Sequence, residues 1–112
     1  MKARLHTVAE TATYLALAEK LLSEGERVAI IDLLAVTPDV GDLIPGTGGL
    51  RKVRIPLGGR GKRGGGRVIY YFHSARIPVY LLLAYAKNER DDFSSEQRAV
   101  LKRLVDRITV NL

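Results

Sequence analysis

Three runs of β-branched and aromatic residues between positions 50 and 86 constrain the fold of this chain more than any other feature. They span Leu50 to Leu57, Arg67 to His73 and Val79 to Ala86, and each has the length of a strand. A glycine-rich connection joins the first two runs, and a turn around Ser74 to Pro78 joins the last two. Because strands joined by short connections pair antiparallel, these runs predict an antiparallel sheet.

Two helices are predicted ahead of the strands. Apolar residues recur at helical spacing from about Val8 to Leu22. Ser23 and Glu26 have the spacing of a capping box, in which each side chain accepts a hydrogen bond from a free backbone N–H. The second helix should end near Val36, because the residue before Pro38 avoids the helical region. Together these segments predict a helical hairpin.

A third helix is predicted at the C-terminal end of the chain. Ser94 and Gln97 repeat the capping box, and apolar residues recur behind them up to Ile108. An edge strand within Lys2 to Thr7 would complete a four-stranded, mainly antiparallel sheet. We therefore predict an α+β fold in which the N-terminal helical hairpin and the C-terminal helix pack on that sheet. With 112 residues, the chain has the length of one such domain, residues 1–112.

Composition narrows the possible chemistry. The sequence has no cysteine and two histidines, so it offers neither a disulfide nor a thiolate site, and we expect no metal or other cofactor. The glycines of segment 58–66 match a dinucleotide fingerprint in spacing, but a strand follows them and no acid occurs before Glu89. The basic start of the chain precedes no apolar run of membrane-spanning length, so we expect a cytoplasmic protein without membrane contact.

Positive charge is concentrated in the middle of the sequence. The net charge is +6, yet no acidic residue lies between Asp42 and Glu89. That stretch holds nine of the eighteen lysines and arginines, which leaves nine bases against twelve acids elsewhere. A surface that only confers solubility mixes the two signs. The segregation therefore indicates an anionic partner such as a nucleic acid.

The basic residues of this stretch form two groups. The first lies in the glycine-rich connection, where the backbone can approach phosphates closely, and is predicted to bind RNA: Arg60, Lys62 and Arg63. The second is predicted to share one face of the sheet: Lys52, Arg54, Arg67 and Lys87. Four cations on one face repel one another without an anionic ligand, and a phosphate is the simplest such ligand. We expect Arg51, which precedes the second group, to contact RNA as well.

Aromatic residues accompany the second group. Tyr71 is predicted to share the face of Arg67, and both Tyr71 and Tyr85 are candidates for stacking on an unpaired base. Tyr70 and Phe72 are interpreted as core residues. These predictions place a single-stranded RNA site on one face of the sheet.

Several short blocks of the sequence resemble one family of bacterial toxins. They are Gly41–Lys52, Gly61–Gly65, Arg67–Tyr71 and Lys87–Glu89. In combination and order, over about Pro38 to Leu104, they resemble the HigB-like branch of the RelE/ParE superfamily, the toxins of type II toxin–antitoxin systems. The resemblance implies a RelE-like fold and cleavage of mRNA in the ribosomal A site, with contacts to rRNA. It also implies neutralisation by a HigA-like helix-turn-helix antitoxin.

The resemblance and the chemistry of RNA cleavage assign roles to the basic residues. The family's catalytic positions fall on Lys52, Arg54 and Arg67, with Lys87 beside a further basic position that is Asn88 here. A ribonuclease must activate the ribose 2′-hydroxyl, stabilise the charge of the phosphorane and protonate the leaving oxygen. Arginine stays protonated, so the two arginines are assigned to charge stabilisation. Neighbouring positive charge favours a neutral lysine, which makes either lysine a candidate base or acid.

The general base is left open by the sequence. RelE has a tyrosine after the last strand in this role, whereas Phe93 and Ser94 occupy that neighbourhood here. Tyr71, Tyr85 and His73 are further candidates.

Two other functions are compatible with the sequence. One is a ParE-like toxin that is not a nuclease and acts on DNA gyrase. The other is a non-catalytic domain that binds RNA or the ribosome. The dense basic face favours a nuclease over the first, and the family blocks favour a toxin over the second.

Overall fold

The chain folds into a five-stranded mixed sheet with three helices, and the computed structural model describes residues 5–58, 65–87 and 92–110. The elements in chain order are β1 (Val8–Glu10), α1 (Ala12–Leu21), α2 (Glu24–Val36), β2 (Asp42–Leu43), β3 (Leu50–Ile55), β4 (Gly66–Tyr71), β5 (Val79–Ala86) and α3 (Ser95–Thr109). The strand order is β1-β5-β4-β3-β2. The α+β class agrees with the prediction, whereas the sheet has five strands instead of four and one of its pairings, β1 with β5, is parallel.

The sheet separates two hydrophobic cores. All six residues of β4 are buried, as expected for a central strand covered on both faces. Val68 and Tyr70 belong to the core under α1 and α2, and Ile69 and Tyr71 belong to the core under α3. The prediction that Tyr70 and Phe72 are core residues is confirmed, since Tyr70 is fully buried and Phe72 packs against the first core. No helix in the described ranges combines the length and apolar character needed to cross a bilayer.

The N-terminal part of the sheet corrects the sequence prediction. Residues Val8–Glu10, expected to be helical, form β1 and pair with β5 in parallel. Within the predicted strand Lys2 to Thr7, only residues from Leu5 onward lie in the described part, and they are not a strand. Helix α1 begins later because Thr11 caps it and also donates its side-chain hydroxyl to the Leu81 carbonyl at 2.7 Å. The Thr11–Leu81 bond and the pairing of β1 with β5 join residues about 70 positions apart. Local periodicity in the sequence does not report such contacts.

A fifth strand lies in segment 41–49, whose glycines and proline predict a loop. Asp42 and Leu43 form β2, antiparallel to the start of β3. The turn between them is held by Thr47, which is fully buried. Its hydroxyl donates to the Ile44 carbonyl at 2.7 Å and accepts from the Leu50 N–H at 3.2 Å. This single side chain fixes the entry of the chain into β3.

Both capping boxes are confirmed. The Ser23 hydroxyl accepts from the Glu26 N–H, and a Glu26 carboxylate oxygen accepts from the Ser23 N–H at 2.8 Å. The same reciprocal pair joins Ser94 and Gln97 at the start of α3. Each box satisfies two backbone donors that the first helical turn leaves free. The predicted end of α2 at Val36 is also observed.

A β-bulge in β5 controls which residues face α3. Ile69 pairs with Leu83 and Tyr70 pairs with Leu81, so Leu82 is an extra residue in the ladder. As a result, Leu82 and Leu83 both belong to the core under α3. The bulge shifts the alternation of the strand, so that Tyr85 lies on the α3 face as well.

Candidate functional site

Two arginines and a tyrosine form a row across three adjacent strands. Arg54 of β3 pairs with Arg67 of β4, and Arg67 pairs with Tyr85 of β5. Residues directly opposite one another in antiparallel strands project from the same face. The row, which we call the arginine row, therefore spans about 10 Å across the α3 face of the sheet.

Two lysines flank the arginine row. Lys52 pairs with Ile69 and lies two residues before Arg54 on the same face. Lys87 lies two residues after Tyr85, and its backbone N–H donates to the Gly65 carbonyl at 3.0 Å, which continues the β4–β5 ladder. The structure thus brings the four residues predicted to be catalytic to one face of the sheet.

The members of the site differ in their exposure and anchoring. Arg54 is exposed and Lys52 is half-buried, and within the described part of the chain neither side chain has a hydrogen bond or an ion pair. Arg67 is 6% exposed, and its Nη1 donates to the Gly66 carbonyl at 2.9 Å. The guanidinium of Arg67 is therefore held by the strand, whereas Arg54 is open to a ligand. Among the described residues, no group of three or more His, Cys, Asp or Glu side chains is placed to hold a metal ion.

Tyr85 has a fixed aromatic neighbour that the sequence did not reveal. The rings of Tyr85 and Phe93 are 5.8 Å apart at 85°, an edge-to-face contact. Phe93 is 4% exposed, and its carbonyl accepts from Arg98 Nε at 3.2 Å. The only sequence signal for this contact is that an aromatic residue directly precedes the cap of α3. At this residue the chain returns to the sheet.

The glycine-rich connection starts beside α2 and ends beside the arginine row. Gly65 has a φ of 67°, and a Cβ there would collide with the Ile55 carbonyl oxygen, so the connection enters β4 through a position suited to glycine. On the other side, the Gly58 N–H donates to Glu26 Oε2 at 2.8 Å. The predicted RNA-binding residues of this connection lie outside the described residues: Arg60, Lys62 and Arg63.

Arg51, which we expect to contact RNA, does not lie on the same face of the sheet as the arginine row. It pairs with Tyr70 and projects from the opposite face, toward α1 and α2. Its Nη1 donates to the carbonyls of Gly41 at 2.7 Å and Asp39 at 3.2 Å. The arginine therefore anchors the segment that precedes β2.

Tyr71 and His73 also lie away from the arginine row. Tyr71 is 2% exposed and its ring is enclosed in the core under α3, so it has no face free to stack on a base. The same burial raises the pKa of its hydroxyl. His73 is exposed and stacks on Tyr71, with ring centroids 6.4 Å apart. It lies six positions after Arg67, which corresponds to about 20 Å along an extended chain. Of the candidates for a base other than lysine, Tyr85 alone lies in the row.

A comparison with protein-family models identifies the family of the chain. The model described as the RelE toxin of the RelE/RelB toxin–antitoxin system matches residues 40–111. The matched range runs from the residues before β2 to the residues after α3, and it contains the arginine row and both flanking lysines. It covers well over half of the 112 residues. The chain therefore belongs to the RelE toxin family.

Proposed function

We propose that the chain is an mRNA endoribonuclease that acts in the cytoplasm on messages in the ribosomal A site and thereby inhibits translation. Membership of the RelE toxin family supports a toxin of a toxin–antitoxin pair. The observation that carries the nuclease proposal is the arginine row, with Arg54 and Arg67 opposite each other and Lys52 and Lys87 on the same face. Such a cluster is suited to a phosphate that gains negative charge.

In the proposed reaction, the ribose 2′-oxygen attacks the adjacent phosphorus. A 2′-O–P bond forms, the P–O5′ bond breaks, and the products are a 2′,3′-cyclic phosphate and a 5′-hydroxyl end. The two guanidinium groups stabilise the additional negative charge on the phosphorane, because Arg67 is anchored by the Gly66 carbonyl and Arg54 is accessible to the RNA. The proposal requires no metal, since side-chain cations provide this stabilisation.

Proton transfer is assigned to the residues around the two arginines. A base accepts the proton of the 2′-hydroxyl, and an acid donates a proton to the 5′-oxygen. Lys52 and Lys87 lie on either side of the row, and Tyr85 lies within it, so these three side chains are our candidates. Tyr85, supported by Phe93, is in addition the residue we propose for stacking on a base.

The finer assignment follows the resemblance in the sequence. We propose that the chain belongs to the HigB-like branch and that its antitoxin is of the HigA type with a helix-turn-helix domain. The rRNA and the mRNA are the proposed nucleic-acid partners, and the glycine-rich connection with Arg60, Lys62 and Arg63 is the proposed site of additional phosphate contacts.

The nuclease proposal is tested by mapping message ends after brief induction of the toxin. Primer extension on a translated message should show new 5′-ends within codons, and these should disappear when the start codon is removed. The new ends should carry a 5′-hydroxyl. Unchanged messages together with growth arrest would favour a ParE-like action on gyrase, and RNA binding without cleavage or arrest would favour a non-catalytic ribosome-binding domain.

A further inference from the structure

An acidic residue lies on the basic face of the sheet, near the arginine row. Asp42 of β2 pairs directly with Lys52 of β3. Because facing residues of antiparallel strands project from the same side, the Asp42 carboxylate lies on the α3 face, as Lys52 does. Ile44, two residues later, belongs to the core under α3, which agrees with this direction. This face therefore carries a carboxylate as well as cations.

The backbone next to Asp42 is fixed by contacts of the preceding glycine. The Gly41 N–H donates to the Tyr70 hydroxyl at 2.9 Å, and the Gly41 carbonyl accepts from Arg51 Nη1 at 2.7 Å. A Cβ at Gly41 would lie only 2.9 Å from the Lys52 carbonyl oxygen, so the glycine allows the chain to approach β3 closely. These contacts hold Asp42 at a defined position, as a group that takes part in a reaction requires.

The Asp42 side chain is exposed and is not engaged by the protein. Although Lys52 lies opposite, the two side chains form no ion pair, and Asp42 has no side-chain hydrogen bond to the described part of the chain. A carboxylate among cations repels phosphate, so it opposes RNA binding unless it meets a hydrogen-bond donor of the RNA. The donor that adjoins the phosphates of RNA is the ribose 2′-hydroxyl.

We propose that Asp42 is the general base of the reaction and that its carboxylate accepts the proton of the 2′-hydroxyl. This inference rests on the proposed nuclease function and deepens it. Arg54 lies diagonally opposite Asp42, at about 7–8 Å, a separation that its long side chain can span. A phosphate bound by Arg54 can therefore present its neighbouring 2′-hydroxyl to Asp42.

The reaction then balances with groups on this face of the sheet. The proton moves from the 2′-oxygen to an Asp42 carboxylate oxygen while the 2′-O–P bond forms. The P–O5′ bond breaks, its electron pair stays on the 5′-oxygen, and Lys52, Lys87 or Tyr85 donates a proton to that oxygen. The sequence did not indicate this role, because Asp42 lies in a predicted loop and reaches the sheet only through β2.

The test measures single-turnover cleavage of a message on programmed ribosomes with purified toxin. Asp42→Asn should lower the rate at saturation about a hundredfold or more, the usual contribution of a general base, because an amide does not take up the proton. The toxin concentration at half-maximal rate should stay the same or fall, since a negative charge near the cations is removed. Asp42→Glu keeps a carboxylate and should recover part of the rate. Asp39→Asn, at an exposed acid before β2, is the control and should cleave at the wild-type rate.

The pH dependence of the rate separates a base from a structural residue. The charged groups of β3 that face Asp42 are Lys52 directly and Arg54 diagonally. From α3, Lys102 packs beside the turn between β2 and β3, but its ammonium group bonds Asp106. A carboxylate base is ionised throughout the neutral range, so the wild-type rate should change little between about pH 6 and 8. In Asp42→Asn the residual rate should rise with pH, because hydroxide or a neutral amine then takes the proton.

Three results would overturn the assignment of Asp42. Cleavage by Asp42→Asn at the wild-type rate would overturn this inference and leave the nuclease proposal intact. A rate loss restricted to some codons would overturn it in favour of a contact between Asp42 and a nucleobase. Equal pH profiles of the two proteins would show that the residue acts through the structure. Absence of cleavage by the wild type would instead contradict the proposed function, and this inference with it.

Discussion

Arg54 and Arg67 place two positive charges directly opposite each other on neighbouring strands. Like charges in this arrangement are destabilising, by roughly 0.2–1 kcal/mol on the scale of cross-strand pairs. A pair of this kind is expected where an anionic ligand compensates the repulsion. The local stability of the site is therefore reduced in favour of phosphate binding.

Substitution of the exposed member of this pair should separate stability from function. We expect Arg54→Gln to raise the free energy of unfolding by about 0.2–1 kcal/mol, because it removes the repulsion, and to lower the rate of RNA cleavage. Urea denaturation and a cleavage assay on the same preparation measure the two effects. Arg76→Gln, at an exposed arginine in the turn before β5, is the control and should change neither. A destabilised Arg54→Gln would show that this arginine has a structural role instead.

At the scale of the elements, the α2 cap is connected to the glycine-rich connection through one carboxylate. Two backbone hydrogen bonds lower the pKa of Glu26 from its ordinary value of 4.5. The larger effect comes from the Ser23 N–H and the smaller from the Gly58 N–H. Because folding lowers this pKa, the ionised Glu26 carboxylate stabilises the folded state at pH values above the ordinary pKa. This stabilisation is lost as the pH falls through the lowered value. The beginning of the connection should therefore loosen in acid.

The variant Glu26→Gln isolates this contact. A glutamine can still complete the capping box with its carbonyl oxygen, as Gln97 does in α3, but a donor NH₂ group replaces the oxygen that accepts from the Gly58 N–H. At pH 7 we expect a loss of roughly 1 kcal/mol of unfolding free energy, and the gap to the wild type should close as the pH falls below 4.5 and through the lowered pKa of Glu26. Glu24→Gln, an exposed acid in the same first turn, serves as the control. Equal losses in both variants would mean that the Gly58 contact contributes nothing.

The elements that the sequence predicted well are those determined locally. Two capping boxes located the starts of α2 and α3, and the range of β5 was predicted to the residue, because caps and alternation involve only near neighbours. The strand β1 was not predicted, since it depends on pairing with β5. The bulge at Leu82 was not predicted either, although it sets the face on which Tyr85 lies. The site was therefore predictable in its basic residues but not in the Tyr85–Phe93 contact.

The same distinction explains why the sequence did not give the positions of two individual side chains. Arg51 belongs to the basic stretch, but alternation along β3 directs it to the opposite face, where backbone carbonyls bind it. Tyr71 does share the face of Arg67, as predicted. It is nevertheless covered by α3. How much of the sheet this helix covers cannot be predicted from the local sequence pattern.

At the scale of the whole molecule, the basic residues of the site should make RNA binding depend on salt. Each phosphate that a cation contacts on a single strand contributes about −0.7 to the slope of log K against log salt concentration. If Lys52, Arg54, Arg67 and Lys87 all contact phosphates, the slope should be about −3. Fluorescence anisotropy with a short single-stranded RNA measures it, and Lys52→Gln should reduce the slope by about 0.7. A flat salt response would remove the central role of the basic face.

The most direct test of the proposed function is the cleavage rate of Arg67 variants on a translated message. Arg67→Ala should lower the rate about a hundredfold or more, as is typical when one preorganised charge-stabilising donor is removed. Because Arg67 is buried, Arg67→Lys is measured beside it: the lysine keeps the charge, lacks the planar pair of donors, and should also be impaired. Circular dichroism is used as the control that tests whether both variants fold. A folded variant of either kind that cuts the message at the wild-type rate would contradict the assignment of this site.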